Sequence, residues 1–261
     1  MFHGQFLSVL ASRQRSPKPR AASGVRIASY NVHRCVGTDG RQVPDRIATV
    51  IRELDADIVG LQEVDSRYHF RSGIDQVVHL ASATQLEAVA GPTMSGELGS
   101  YGNVLLTRRP VLAVRRFDLS VGRRERRGAL DVDVAVDGHT VRVIVTHFGL
   151  GPRERRAQTT ALLRILDQDV RPLTVLLGDF NEWASARQTM HRLDSRFGSS
   201  RPIRTFPSRW PALALDRIWV QPSAAIIALW AHRSRLSRIA SDHLPLCANL
   251  QWGEDRDGIG R

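Results

Sequence analysis

The sequence predicts an α/β domain in which strands and helices are mixed and stacked in layers. Three observations predict it. Short apolar, β-branched runs such as VRIASYN (25–31), DIVGLQEV (57–64) and LTVLLGDFN (173–181) alternate with segments whose apolar residues recur at helical spacing. Two alternating runs flank Asp137-Gly138 in ALDVDVAVDGHTVRVIVTHF (129–148), the strongest short hairpin signal. No linker or internal repeat divides the chain after residue 24, which argues for one layered domain rather than two.

Each element has its own warrant. VRIASYN reads as the first strand. VPDRIATVIRELDA (43–56) has Pro44 near a helix start and Ile47, Val50, Ile51 and Leu54 on one face. DIVGLQEV follows as a buried strand, IDQVVHLASAT (74–84) as a helix, and YGNVLLTRRP (101–110) as a strand stopped by its proline. After the hairpin, PRERRAQTTALLRILDQD (152–169) is amphipathic, with Leu162, Leu163, Ile165 and Leu166 on or near one face. LTVLLGDFN is a buried strand, and LDRIWV (215–220), AAIIALWAH (224–232) and LCANLQW (246–252) supply the closing strands.

Composition bounds the function. With 261 residues, 42% hydrophobic and 24% charged, the chain can bury a sizeable core. No apolar run is long enough to span a bilayer, so no integral membrane segment is expected. The net charge is +11, carried almost wholly by arginine, with Lys18 the one lysine. Arginine's planar fork suits phosphate, although an arginine-rich codon usage explains the excess equally well. The charge is nonetheless clustered: residues 201–240 hold seven arginines against the single acid Asp216, and VGRRERRG (121–128) is a second patch. Cys35 and Cys247 form no CxxC or zinc-ligand spacing, which fits a reducing, cytoplasmic setting. Residues 1–24 read as a basic, disordered arm, with a targeting segment as the alternative, and 253–261 as a tail. Nothing in the chain demands a dimer, and a monomer is expected.

The feature that carries chemistry is a polar residue at strand end after strand end. Asn31 ends IASYN, Glu63 ends IVGLQE, His147 ends VIVTH, and Asp179 and Asn181 end VLLGDFN. Asp216 begins DRIWV, and Asp242-His243 precedes the last strand. Burying an unpaired polar group costs free energy, so such tips predict a site assembled at one edge of a sheet. Residues i and i+2 of a strand point the same way, so Asp179 and Asn181 are expected to reach one substrate atom together, with Gly178 allowing close backbone approach. Taken singly, each is more often a turn residue. His33, His69, His79, His139, His191 and His232 match no motif and read as surface or core residues, and Asp65 and Glu182 as supporting or solvated acids.

SYNVH, LQEVD, YGNVLL, THFGL, GDFN, LDRIWV and SDHLPL, in that order, resemble the endonuclease/exonuclease/phosphatase superfamily, the deoxyribonuclease I-like proteins. The resemblance runs over residues 25–252. It implies a four-layer α/β/β/α sandwich, with two packed mixed β-sheets flanked by helices. It also implies a Mg²⁺ cofactor, with Mn²⁺ as a substitute, and hydrolysis of a phosphoric ester. Position by position, Glu63 would be the principal metal ligand, with Asn31 beside it and Asp242 close by. Asp179 would orient and deprotonate the attacking water, and Asn181 would stabilise the charged transition state. His243, paired with Asp216, would contact the scissile phosphate, and His147 would bind a phosphate oxygen. Tyr101 and Asn103 fall in a motif that often faces phosphate, and Arg127 reads equally as a phosphate contact or as a solvated surface residue.

The chemistry is coherent on its own terms. A phosphodiester repels hydroxide, so hydrolysis needs positive charge on the phosphoryl oxygens and a positioned water. The substrate is expected to be a nucleic acid, with a phospholipid or sphingomyelin headgroup as the alternative. A phosphomonoesterase and an inactive phosphate-binding module rank lower, since the lysine-rich motifs of the inositol phosphatase branch are missing while Glu63, Asp179 and His243 are all present. His147 leans the reading away from apurinic repair, and no long insertion for gripping duplex DNA is evident.

Overall fold

The computed structural model describes residues 24–66, 74–97, 99–183 and 187–252. The arm expected over 1–24, Gly24 apart, and the tail over 253–261 lie outside the described residues.

Eleven strands occur among those residues: β1 (Val25–Asn31), β2 (Ile58–Asp65), β3 (Glu87–Gly96), β4 (Gly99–Thr107), β5 (Val111–Asp118), β6 (Gly128–Val136), β7 (His139–His147), β8 (Thr174–Asp179), β9 (Asp216–Gln221), β10 (Ile226–Ala231) and β11 (Leu246–Leu250). They form a six-stranded sheet, β10-β11-β1-β2-β4-β3, and a five-stranded sheet, β5-β6-β7-β8-β9. Each sheet is mixed and holds one parallel pair, β1–β2 in the first and β7–β8 in the second. The helices are α1 (Pro44–Leu54), α2 (Gln76–Thr84), α3 (Pro152–Gln168), α4 (Arg187–Phe197) and the single turn α5 (Ser237–Ala240).

Strand alternation sorts the apolar residues into three cores. Ile27, Ile58 and Leu105 of one sheet face Val132, Val143, Val145, Val175 and Leu177 of the other. The opposite face of the larger sheet, with Tyr30, Val59 and Leu61, packs on Ile47, Ile51 and Leu54 of α1 and Leu80 of α2. The opposite face of the smaller sheet, with Ile144, Leu176 and Trp219, packs on Leu162 and Leu166 of α3 and Leu193 and Phe197 of α4. The result is the α/β/β/α sandwich that the resemblance implies. A fully buried aliphatic side chain contributes roughly 1.5–3 kcal/mol, so a polar substitution at Leu177 or Val145 would damage both sheets at once.

Local rules set the ends of the elements. Pro44 opens α1, and Asp55 ends it with a left-handed backbone (φ 47°). Asp75 caps α2 by accepting from the N–H groups of Val77 and Val78. Three elements go beyond the sequence reading. β3 (EAVAGPTMSG) carries Gly and Pro with no clear alternation. β5 lies at a sheet edge with Leu112 and Val114 turned outward, so its apolar run does not mark a core. α4 is polar apart from Met190, Leu193 and Phe197.

Candidate active site

The sheet register assembles half of the site. His147 at the end of β7 stands opposite Asp179 at the end of β8, and Asp179 stands opposite Asp216 at the start of β9. One row across the five-stranded sheet therefore lines up an imidazole and two carboxylates. Gly178 beside Asp179 permits the spacing, because a Cβ there would lie 1.9 Å from the Thr146 carbonyl oxygen.

The other half comes from the six-stranded sheet. Asn31 ends β1, and its amide nitrogen donates to Glu63 Oε1 and to Asp179 Oδ2, each at 3.0 Å. Its Oδ1 accepts from the His33 N–H at 3.0 Å, which fixes the amide's orientation. Glu63 does not end its strand, as the sequence reading has it. The β2–β4 register shifts between Leu61 and Val64, and Glu63 sits in that irregularity at φ 59°, turned out of the regular alternation. The site thus joins the ends of two packed sheets rather than the edge of one.

Strand alternation also does not place Asn181. β8 stops at Asp179, and Asn181 is left-handed at φ 50°. Its N–H donates to Asp179 Oδ1 at 2.9 Å, and its side-chain nitrogen donates to the Phe148 carbonyl at 2.9 Å and lies 3.1 Å from His147 Nε2. A turn, not a pleat, brings the pair together, as short Asx side chains favour.

His243 arrives on the loop before β11, tied down by Ser241 Oγ donating to the Asn31 carbonyl at 2.7 Å. Its Nδ1 is 2.9 Å from Asp216 Oδ2, which also accepts from Thr205 Oγ1 at 2.5 Å. Its Nε2 is 3.6 Å from Asp179 Oδ2. Burial opposes a charge on His243, but Asp216 and Asp179 overcome it and raise its pKa to about 10. Burial raises the Asp179 carboxyl to about 6, against the pull of the His243 cation. His147 is the opposite case. Burial, Arg127 and His243 together hold it well below the ordinary imidazole range, so it is neutral.

The remaining expected residues occupy varied positions. Asn103 donates to the Gly128 carbonyl at 3.0 Å and ties β4 to β6. Tyr101 is buried, and burial, with the charges of Glu63 and Glu125, pushes its phenol well above the ordinary range. Arg127 clamps Glu125 through two hydrogen bonds of 3.0 and 3.1 Å. Asp242 is a third exposed and faces His33 Nδ1 at 3.8 Å. Thr205 and Glu125 lie outside the quoted motifs, and His33 and Ser241 lie inside SYNVH and SDHLPL without an expected role, yet each supports a site residue. The signal for Glu125–Arg127 lay in the hairpin, whose register sets the start of β6 against the end of β7.

Residues 28–243 match the model of the Endonuclease/Exonuclease/phosphatase family. The chain belongs to that family. Its members are typically phosphoric ester hydrolases and generally depend on a metal. The chain is similar to the protein YbhP of Escherichia coli K12, at 29% identity over 251 residues that cover 86% of this chain and 95% of that one. Its fold matches a family member from Bacteroides vulgatus (21% identical, TM-score 0.71, 88% of this chain and 100% of that chain). It also matches a mannosyl-6-phosphatase from Bacteroides thetaiotaomicron (17% identical, TM-score 0.69, 87% and 100%). No described helix is long and apolar enough to cross a membrane.

Two places offer a metal donors. Asp179, Asp216 and His243 each present a donor atom within 4.8 Å of one another. There Asp216 Oδ2 is taken by His243 and Thr205 while its buried Oδ1 has no partner among the described residues, and a cationic imidazole repels a metal. Glu63 is the better fit for a hard cation: an oxygen donor, half-buried and set beside Asp179 by Asn31. Aromatic rings adjoin this centre. Phe206 lies on His243 with ring centroids 4.9 Å apart, Trp183 meets Phe206 edge-on at 5.8 Å, and Leu150, Trp183 and Trp210 are exposed.

Proposed function

We propose that the protein is a Mg²⁺-dependent phosphodiesterase, with a nucleic acid as the leading substrate, acting by in-line attack of water. One observation carries the reading: a buried carboxylate, Asp179, stands among three potential phosphate donors, Asn181, His147 and His243, and is linked through Asn31 to Glu63.

Asp179 takes the proton of the attacking water, for which its raised pKa is suited. His243, held cationic by Asp216, donates from Nε2 to a phosphoryl oxygen. Asn181 and His147 donate to the same group, where charge grows as the water attacks. Glu63 would be the principal metal ligand, with Asn31 spacing it from Asp179 and Asp242 as a further oxygen donor. Mg²⁺, or Mn²⁺ in its place, held there would neutralise phosphoryl charge and acidify water. Arg127 Nε is a buried donor with no partner among the described residues, and it is the N–H of that side chain left for substrate. Tyr101, whose phenol feels the charges of Glu63, Glu125 and Arg127, and Asn103, tied to Gly128 next to Arg127, are the further substrate contacts in this reading.

The test is nicking of supercoiled plasmid with Mg²⁺, with EDTA and Asp179→Ala as controls. Metal-dependent nicking that disappears in the variant is the expected result. Inactivity of the folded protein on every phosphodiester offered would overturn it. A phospholipid headgroup is the second reading, and the exposed Trp183, packed on Phe206 beside His243, favours it. Hydrolysis of sphingomyelin or phospholipid in vesicles, without nicking, would select it.

A further inference from the structure

The basic loop between β5 and β6 is usually expected to serve substrate, but its one buried arginine is turned to a histidine. Arg127 is fixed on several sides. Its N–H donates to Ser120 Oγ at 3.2 Å, and its carbonyl accepts from the Leu119 N–H at 2.9 Å. Glu125 grips both terminal nitrogens of the guanidinium. The same Nη1 that bonds Glu125 lies 3.3 Å from His147 Nδ1, between two side chains that are 6% and 5% exposed.

Chemistry then decides the ring. A guanidinium has five N–H donors, no acceptor, and a charge at every working pH. Facing it, Nδ1 must offer its lone pair. The ring's single proton is then on Nε2, and a second proton on Nδ1 would set two buried cations against each other. At the other nitrogen, Asn181 Nδ2 is 3.1 Å away, with one N–H on the Phe148 carbonyl and a second facing Nε2, while Asp179 Oδ2 is 3.7 Å away. Both ring nitrogens thus face donors, and the ring's one lone pair goes to the charged guanidinium rather than to the neutral amide. Nε2–H and the second amide N–H are then left to serve one acceptor beside Asp179.

We propose that Arg127, oriented by Glu125, is a positioning residue that locks His147 as the neutral Nε2–H tautomer. The lock makes His147 a fixed hydrogen-bond donor to the site and bars it from accepting the water's proton. That task is left to Asp179 alone. The catalytic meaning rests on the phosphodiesterase reading, but the tautomer itself does not.

The experiment is long-range ¹H–¹⁵N correlation spectroscopy of the ring nitrogens in the full chain without metal or substrate. The His147 signals are assigned by their loss in His147→Gln. Wild type is expected to show protonated Nε2 and bare Nδ1 at neutral pH. Arg127→Met is expected to lose that pattern, giving mixed tautomers or a protonated ring. Glu125→Gln, at a half-exposed position, is expected to broaden it, and Arg127→Lys, still a donor, to keep it. In turnover, Arg127→Met should lower kcat by roughly 10²-fold, the lower range for a misplaced acid–base group, and raise KM through the lost Nε–H. A wild-type Nδ1–H ring overturns the proposal, as does an unchanged pattern in folded Arg127→Met. The wild-type spectrum decides the tautomer even if a variant fails to fold. Inactivity on all phosphodiesters would sink the functional reading while leaving this spectrum as expected.

Discussion

Two imidazoles flank one carboxylate oxygen at nearly equal distance and in opposite charge states. His243 Nε2 is 3.6 Å from Asp179 Oδ2 and His147 Nε2 is 3.7 Å from it, and both rings are buried. The atom behind each ring makes the difference. Asp216 stands behind His243 and Arg127 behind His147. A unit charge about 4 Å away is worth about 4 kcal/mol at an effective dielectric of about 20. That is enough to hold either state over several pH units. Burial alone would have made both rings neutral, so the site separates a cationic from a neutral donor by what lies one residue further out.

Removing the shared acid should erase the distinction altogether. Asp179→Asn keeps the hydrogen bonds to Asn31 and Asn181 within reach but removes the proton acceptor, and kcat on a cleaved phosphodiester is expected to fall roughly 10⁴-fold. Retention of more than a few per cent of activity in the folded variant would reassign the base.

The next effect separates the rings. His243→Gln removes a cation and should cost roughly 10³-fold in kcat, whereas His147→Gln removes a neutral donor and should cost roughly 10²-fold. Their pH signatures should differ too. Asp179 must be ionised, so activity rises with pH through about 6, or lower once a divalent cation sits nearby. His243 must be protonated, so activity falls as pH passes about 10. Asp216→Asn removes the acid that raises His243 and should move the alkaline limb down, while Arg127 and His147 variants should leave that limb in place. An alkaline limb unmoved in Asp216→Asn would break the comparison.

Much of this was legible in the sequence. The strands that carry Asn31, His147 and Asp179 follow from apolar runs closed by polar residues, and Asp137-Gly138 set the β6–β7 register residue for residue. Edge strands and half-exposed helices were harder, because β3, β5 and α4 need few apolar residues to stay in place. Within the site, the identity of the groups was readable and their aim was not. Glu63 and Asn181 depart from strand geometry through single left-handed residues, a backbone choice that neither side chain announces. The partner of His147 lies twenty residues earlier and is an arginine, where charge logic alone would have guessed an acid.

The left-handed turn at Glu63 has a consequence for how this chain could decay. A side chain at φ 59° costs roughly 1–2 kcal/mol that glycine would not incur. Glu63→Gly should therefore lose turnover while matching or exceeding the wild-type melting temperature, and a clear drop in that temperature would show the carboxylate to be structural. Asn181, at φ 50°, stands in a milder form of the same position. Selection for folding alone would drift away from the acid, so an acid in that turn is what the proposed metal-ligand role requires.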